Sequence, residues 1–285
     1  MTKITYWGMA LYSFFALIPA ALAQDVARPT QLGLRESASP QMERITWFHD
    51  NLLMYVITAI VIFVTGLMIW VVVRYNEKAN PTPSKTTHHV PLEIAWTVLP
   101  ILILIVIAVP SLKMLYYLDR VEEPDMTLKV TGYQWYWGYE YQGSEDVEGI
   151  SFQANMIPED EIDESKGQRR LLSTDNVVVL PIDTNIQILI TSNDVIHAFT
   201  VPAFGFKKDA VPGRLNETWV RIDKPGTYYG QCSQICGINH AYMPIEVRAV
   251  TKEEFKEWIK KAREEFAHNN KALSPIQLAV LEGVK

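Results

Sequence analysis

Apolar positions fall in three long blocks before residue 118 and thereafter alternate with polar ones in short runs. The blocks predict lipid-facing helix and the runs predict β-strand. A helix in a bilayer needs apolar side chains all round, whereas a half-buried strand needs them at every second position. The first block, about Met9 to Leu22, follows Lys3 and ends in Ala21-Leu22-Ala23 before Gln24. That is the charge, apolar core and small-residue cleavage pattern of a secretory signal over residues 1–23, with an uncleaved anchor as the alternative. Residues 24–50 are polar, carry Pro29 and Pro40, and are expected to form an exported arm.

Residues 51–73 and 94–112 are uncharged over 23 and 19 positions, enough at about 1.5 Å per residue to cross a bilayer core of about 30 Å. They predict a transmembrane hairpin over 51–118. Trp70 and Trp96 sit at the loop ends of the spans, and Trp47, Tyr116 and Tyr117 at the opposite ends, as interfacial aromatics do. Arg74, Lys78 and Lys85 favour a cytoplasmic loop, and the export signal puts the arm and everything after Asp119 outside. Pro100 and Pro110 free backbone groups within the second span, which calls for neighbouring membrane helices and hence a larger complex.

From residue 119 to 250 the period-two pattern dominates. Strands are expected at 127–141, 177–180, 186–191, 218–222, 227–231 and 245–250, separated by turns such as Pro181-Ile182-Asp183 and Lys224-Pro225-Gly226. The spacing predicts an all-β, antiparallel sandwich or barrel. Residues 145–166 hold eight carboxylates against one lysine and read as an acidic surface insertion. Residues 251–269 predict an amphipathic terminal helix within a 251–285 tail: Thr251 caps, Glu254 is three residues on, and Phe255, Trp258, Ile259, Ala262 and Phe266 share one face.

Charge narrows the partners. From residue 119 onward 26 acidic side chains face 18 basic ones, so the chain lacks the basic face that nucleic acid needs and a basic protein partner fits better, while charge alone favours the plainer reading of a solubilising surface. Two cysteines, Cys232 and Cys236, are too few for a disulfide scaffold, and no Cys-x-x-Cys-His haem attachment motif is present.

The chemistry concentrates in residues 231–244, which supply the two cysteines, His240 and Met243 within twelve positions. Thiolate and thioether are soft donors that suit copper, and imidazole serves copper in either oxidation state. Upstream, Asp194-Val195-Ile196-His197 brings a second imidazole to a strand end. A zinc site would have no use for the thioether, and a Cys232–Cys236 disulfide would leave His197, His240 and Met243 unexplained. Copper is the reading favoured, with zinc and disulfide as the alternatives.

These residues bring the chain to a family. Its hairpin, the 132–141 run Gly-Tyr-Gln-Trp-Tyr-Trp-Gly-Tyr-Glu-Tyr, the 194–199 and 209–216 segments and the copper loop closely resemble subunit 2 of haem–copper cytochrome c oxidase in its A-type, bacterial and mitochondrial form. The resemblance implies a cupredoxin domain with a binuclear CuA centre: two coppers bridged by Cys232 and Cys236, one completed by His197 and Met243, the other by His240 and the backbone carbonyl of Gln234. It implies that Trp135 takes up electrons from cytochrome c, that Glu140, Asp175 and Asp194 lie on the cytochrome c docking face, and that Glu93 stands at a proton-channel mouth of subunit 1. The family usually has Glu where this chain has Gln234, whose carboxylate also holds magnesium at the subunit 1 junction. An uncharged amide weakens that magnesium site. The implied activity is that of an oxidoreductase subunit: electrons pass from cytochrome c to haem in subunit 1, where oxygen reduction drives proton translocation. The implied location is a bacterial inner membrane, with the large domain periplasmic and other oxidase subunits alongside. A copper carrier, and a structural oxidase subunit without redox copper, are the competing classes.

Overall fold

The computed structural model describes residues 24–26, 31–119, 123–143 and 146–269. The expected signal segment and the tail beyond 269 lie outside the described residues. Three helices precede the β-domain. Pro40–Phe48 (α1) continues through a π-helical turn at His49–Leu53 into Met54–Arg74 (α2), and Val90–Asp119 (α3) follows. Together the first two form one continuous helical rod of 35 residues, apolar along α2, and α3 adds 30. Neither α2 nor α3 has a buried residue, so their apolar side chains await a non-aqueous surrounding. Helix α3 runs unbroken past Pro100 and Pro110.

The arm is not a free tether. Ala38 donates to the Ala203 carbonyl at 3.0 Å, and its own carbonyl accepts from Asp223 N at 2.9 Å. Ser39 caps α1 by accepting from Met42 N at 3.1 Å while donating to Phe204 O at 2.8 Å. A Cβ on Gly205 would stand 2.8 Å from the Met42 backbone, so a glycine lets this segment seat. On the other side, Trp219 donates to Tyr117 O at 2.9 Å, Thr218 to Leu118 O at 3.2 Å, and Arg44 stacks on the Tyr117 ring. The polarity of residues 24–50 concealed this docking, because the segment binds mainly through its backbone.

The described residues also form eleven strands: Gln24–Asp25 (β1), Met126–Tyr133 (β2), Tyr136–Gln142 (β3), Ser151–Ala154 (β4), Val178–Pro181 (β5), Ile186–Ser192 (β6), His197–Val201 (β7), Phe206–Ala210 (β8), Asn216–Val220 (β9), Gly226–Gln231 (β10) and Pro244–Val250 (β11). One sheet has the order β4-β3-β2-β6-β9, another β1-β10-β11-β5, and β7-β8 form a separate hairpin. Alternation along β2 and β3 buries Leu128, Val130, Trp137, Tyr139 and Tyr141, which meet Leu180, Tyr228, Val247 and Ala249 in one core. The Tyr141 hydroxyl donates to Val179 O and accepts from Val179 N, tying the two sheets together. This is the cupredoxin sandwich of the expected class.

Three details differ from expectation. The β1–β10, β2–β6 and β5–β11 pairs are parallel, which the long excursions between those strands permit. The acidic insertion contains β4, and Val147, Ile150, Phe152 and Ala154 are buried within it. Residues 206–210 form a strand that pairs with β7, a hairpin additional to the strands expected. The terminal helix, Lys252–Asn269 (α4), starts where expected: Thr251 and Glu254 exchange the hydrogen bonds of a capping box. Its Phe255, Ile259, Ala262 and Phe266 are buried, and Trp258 packs on Tyr141.

Candidate metal centre

Two loops and one strand end build the site. The loop between β10 and β11 carries Cys232, Gln234, Cys236, His240 and Met243, and is closed at its base by Cys232 N donating to Met243 O at 3.3 Å. Ser233 N donates to Ala198 O at 3.0 Å, which fastens the loop to β7. His197 is the first residue of β7 and is fully buried. Gly132 makes room for it: a Cβ there would lie 2.8 Å from the imidazole Cδ2. Trp137 meets the same ring edge-on at 5.8 Å between centroids.

The donor atoms converge. Cys232 Sγ lies 3.9 Å from Cys236 Sγ, 3.8 Å from His197 Nδ1 and 3.3 Å from the Gln234 carbonyl. Cys236 Sγ lies 3.5 Å from both His240 Nδ1 and Met243 Sδ. Cys232, Cys236 and Met243 are buried, His240 is half-buried and Gln234 is exposed. Both cysteines are free thiols. Their sulfur separation is smaller than two metal–thiolate bonds of about 2.3 Å each, so one ion can touch both. Together with two imidazoles and a thioether, this donor set fits copper.

The two thiols differ in their electrostatics. Burial raises both thiols, but the neighbouring His197 imidazole, together with backbone contacts at Ala198 and Gln234, reverses this for Cys232 and holds it well below the usual thiol value. Burial and the neighbouring Cys232 charge push Cys236 up. The first thiolate therefore forms readily, and the second needs positive charge beside it.

Trp135 is half-buried beside the loop, and its indole N–H donates to Cys236 O at 3.3 Å. Gln134 Nε2 donates to the same carbonyl at 2.8 Å. Gly237, at φ +127°, leaves the space that Trp135 fills. Sequence reasoning passed over Gln134, Gly132 and Gly237. Their signal was a glycine or amide adjoining each motif residue.

The remaining candidates stand apart from the centre, except Asp194. Glu140 on β3 pairs with Lys129 at 2.9 Å. Asp175 accepts from Asn155 N at 2.8 Å and Asn155 Nδ2 at 3.0 Å. Asp194 accepts from His197 Nε2 at 2.9 Å. Glu93, at the start of α3, accepts from His89 N at 3.1 Å.

Comparison with known proteins identifies the family. The family model for the cytochrome c oxidase subunit II periplasmic domain matches residues 126–250, and that for its transmembrane domain matches residues 27–114. A probable cytochrome c oxidase subunit 2 from Rickettsia bellii is 48% identical over 256 residues, covering 90% of this chain and 91% of that protein. The cytochrome c oxidase subunit 2 of Zea mays is 44% identical over 238 residues, covering 82% of this chain and 90% of that protein. The crystallised periplasmic domain of subunit II of Bradyrhizobium japonicum cytochrome oxidase is 45% identical; the match covers 52% of this chain and 99% of that one, with a TM-score of 0.46. The two family models and the near-full-length relatives together establish that this chain belongs to the cytochrome c oxidase subunit 2 family, and so is a subunit of a haem–copper oxidase.

Proposed function

We propose that Cys232 and Cys236 bridge two copper ions, that His197 and Met243 complete the coordination of one, and that His240 and the Gln234 carbonyl complete the other. Bound there, the copper pair supplies a one-electron relay between cytochrome c and haem in subunit 1, whose oxygen chemistry is coupled to proton pumping. The observation that carries this reading is the convergence of both sulfurs, 3.9 Å apart, with two imidazole nitrogens and a thioether at their flanks. The rest is the work of this chain's own residues. The loop is tied at its base and to β7, so its donors have little freedom to move when the charge at the centre changes.

Trp135 is the residue through which electrons reach the loop, since its indole is both partly exposed and bonded to the Cys236 peptide. Glu140, Asp175 and Asp194 add negative charge to the face offered to cytochrome c, and such docking should weaken as salt shortens the Debye length to about 3 Å at 1 M. Gln234, exposed at the rim, offers an amide where a carboxylate would hold magnesium more firmly. Glu93 takes up protons at the cytoplasmic mouth of α3. Its bond to His89 N favours a second reading, in which it caps the helix. The chain resides in a bacterial inner membrane through α2 and α3, with the β-domain on the periplasmic side against subunit 1.

Metal quantification of the purified chain loaded with copper under reducing conditions tests this. Two coppers per chain with a mixed-valence spectrum is the expected result. One exchangeable copper would make the chain a carrier, zinc would make the site structural, and a colourless, metal-free protein rejects the reading.

A further inference from the structure

Asp194 sits where the metal loop and the Trp135 turn meet, and each of its oxygens serves a different one. Oδ1 accepts from His197 Nε2 at 2.9 Å and from Val195 N at 2.6 Å. Oδ2 accepts from Gln134 N at 2.7 Å. An ionised carboxylate is an acceptor only, so Nε2 of His197 carries the ring proton and Nδ1 presents its lone pair. That lone pair points to the side where Cys232 Sγ lies, 3.8 Å away. The ring has no room to pivot, with Gly132 against one part of it and Trp137 against another.

The other oxygen fixes the turn between β2 and β3. Gln134 is held at its backbone by Asp194 and at its side chain by Cys236 O, which also receives the Trp135 indole. The turn is thus clamped between the carboxylate and the copper loop. The Ser192 hydroxyl donates to Val195 O at 2.5 Å and accepts from Asp194 N at 3.3 Å, which braces the backbone that carries the carboxylate.

We propose that Asp194 is a positioning residue, holding the His197 imidazole and the Gln134–Trp135 turn in one fixed relation, so that a single carboxylate sets both a metal ligand and the electron-uptake tryptophan. This rests on the copper reading above and adds to it, because docking charge alone would ask nothing of the carboxylate's position.

Asp194→Glu separates the two roles, since it keeps the charge and moves the oxygens, while Asp194→Asn keeps the shape and removes the charge. Both are to be made in the assembled oxidase. Imidazole nitrogen couplings at the copper centre are read by electron–nuclear double resonance, and uptake rates are measured from a small uncharged photoreductant. The expected result is copper content equal to the parent, an altered coupling for one histidine in both variants, and uptake at least tenfold slower. Should Asp194→Asn fail to assemble, Asp194→Glu alone decides. A Glu variant with the parent's couplings and rate overturns the inference while leaving the copper reading intact. A parent oxidase lacking copper in this domain overturns both.

Discussion

The indole N–H of Trp135 and the main-chain carbonyl of Cys236 share a hydrogen bond of 3.3 Å. This places a partly exposed aromatic ring one hydrogen bond away from the peptide of a thiolate donor, with no mobile segment between them. Trp135→Phe keeps an aromatic ring but removes the donor, at a stability cost of about 1 kcal/mol. Copper content and spectrum are expected to persist, and electron uptake from cytochrome c to fall by orders of magnitude. Stopped-flow reduction of the copper band checks this, and unchanged rates would reject the role of Trp135.

Gly237 makes that contact sterically feasible. Its φ of +127° is strained for any residue with a side chain, and an added Cβ would lie 2.9 Å from Trp135 Cζ2 and 3.2 Å from Gln134 Nε2. Gly237→Ala should therefore cost about 1–3 kcal/mol and tilt the indole off the Cys236 carbonyl. The expected result is a lower melting temperature together with slower electron uptake at full copper occupancy. A variant that melts earlier yet takes up electrons normally would separate the strain from the function.

The sequence made some of this legible and hid the rest for identifiable reasons. β2 and β3 were visible because Leu128, Val130, Trp137, Tyr139 and Tyr141 alternate cleanly with polar neighbours. β4 was not, because Phe152 and Ala154 lie among eight carboxylates whose charge drowns a four-residue signal. Strand direction was not legible either: Leu128 pairs with Ile188, sixty positions away, and nothing local records whether such a partner runs parallel. The metal donors stood out by residue type. The role of Asp194 did not, because an exposed-looking acid in a turn reads as solvated charge until the fold brings Gln134 and His197 to its two oxygens.

Glu93 and His89 form a reciprocal cap, in which Glu93 accepts from His89 N at 3.1 Å and His89 Nδ1 accepts from Leu92 N at 3.2 Å. Replacing Glu93 with Ala removes one half of the cap, worth about 1 kcal/mol, and with it the carboxylate. Glu93→Gln can still accept the hydrogen bond but cannot carry a proton. If Glu93 takes up protons, both variants should slow proton-coupled reduction of the oxygen site. Normal turnover in Glu93→Gln with impairment only in Glu93→Ala would assign the residue to capping alone.

Ser39 secures the start of the membrane rod to the β-domain through Phe204 O, while its oxygen caps α1. Ser39→Ala leaves a buried carbonyl and a helix N–H without this partner, a loss of about 1–3 kcal/mol. Thermal unfolding of the purified chain should show it, with copper content unchanged, since the site's donors lie elsewhere.

Glu246 on β11 supplies a pH signature. Its carboxyl is buried and pushed above the usual glutamate range; the bond accepted from Thr174 N at 2.9 Å opposes that shift without cancelling it. The folded chain consequently holds this proton more tightly than the unfolded chain does. The resulting stabilisation is complete below the ordinary glutamate value, about 4.3, and is lost as pH rises through the raised folded value. Glu246→Gln has no such proton, yet its amide oxygen can still accept from Thr174 N. Subtracting the variant's unfolding free energy from the parent's cancels the titration of all other groups. That difference is expected to shift against the parent as pH climbs from about 4 toward neutrality, and a difference that stays level across this range would show that the Glu246 carboxyl titrates alike in both states.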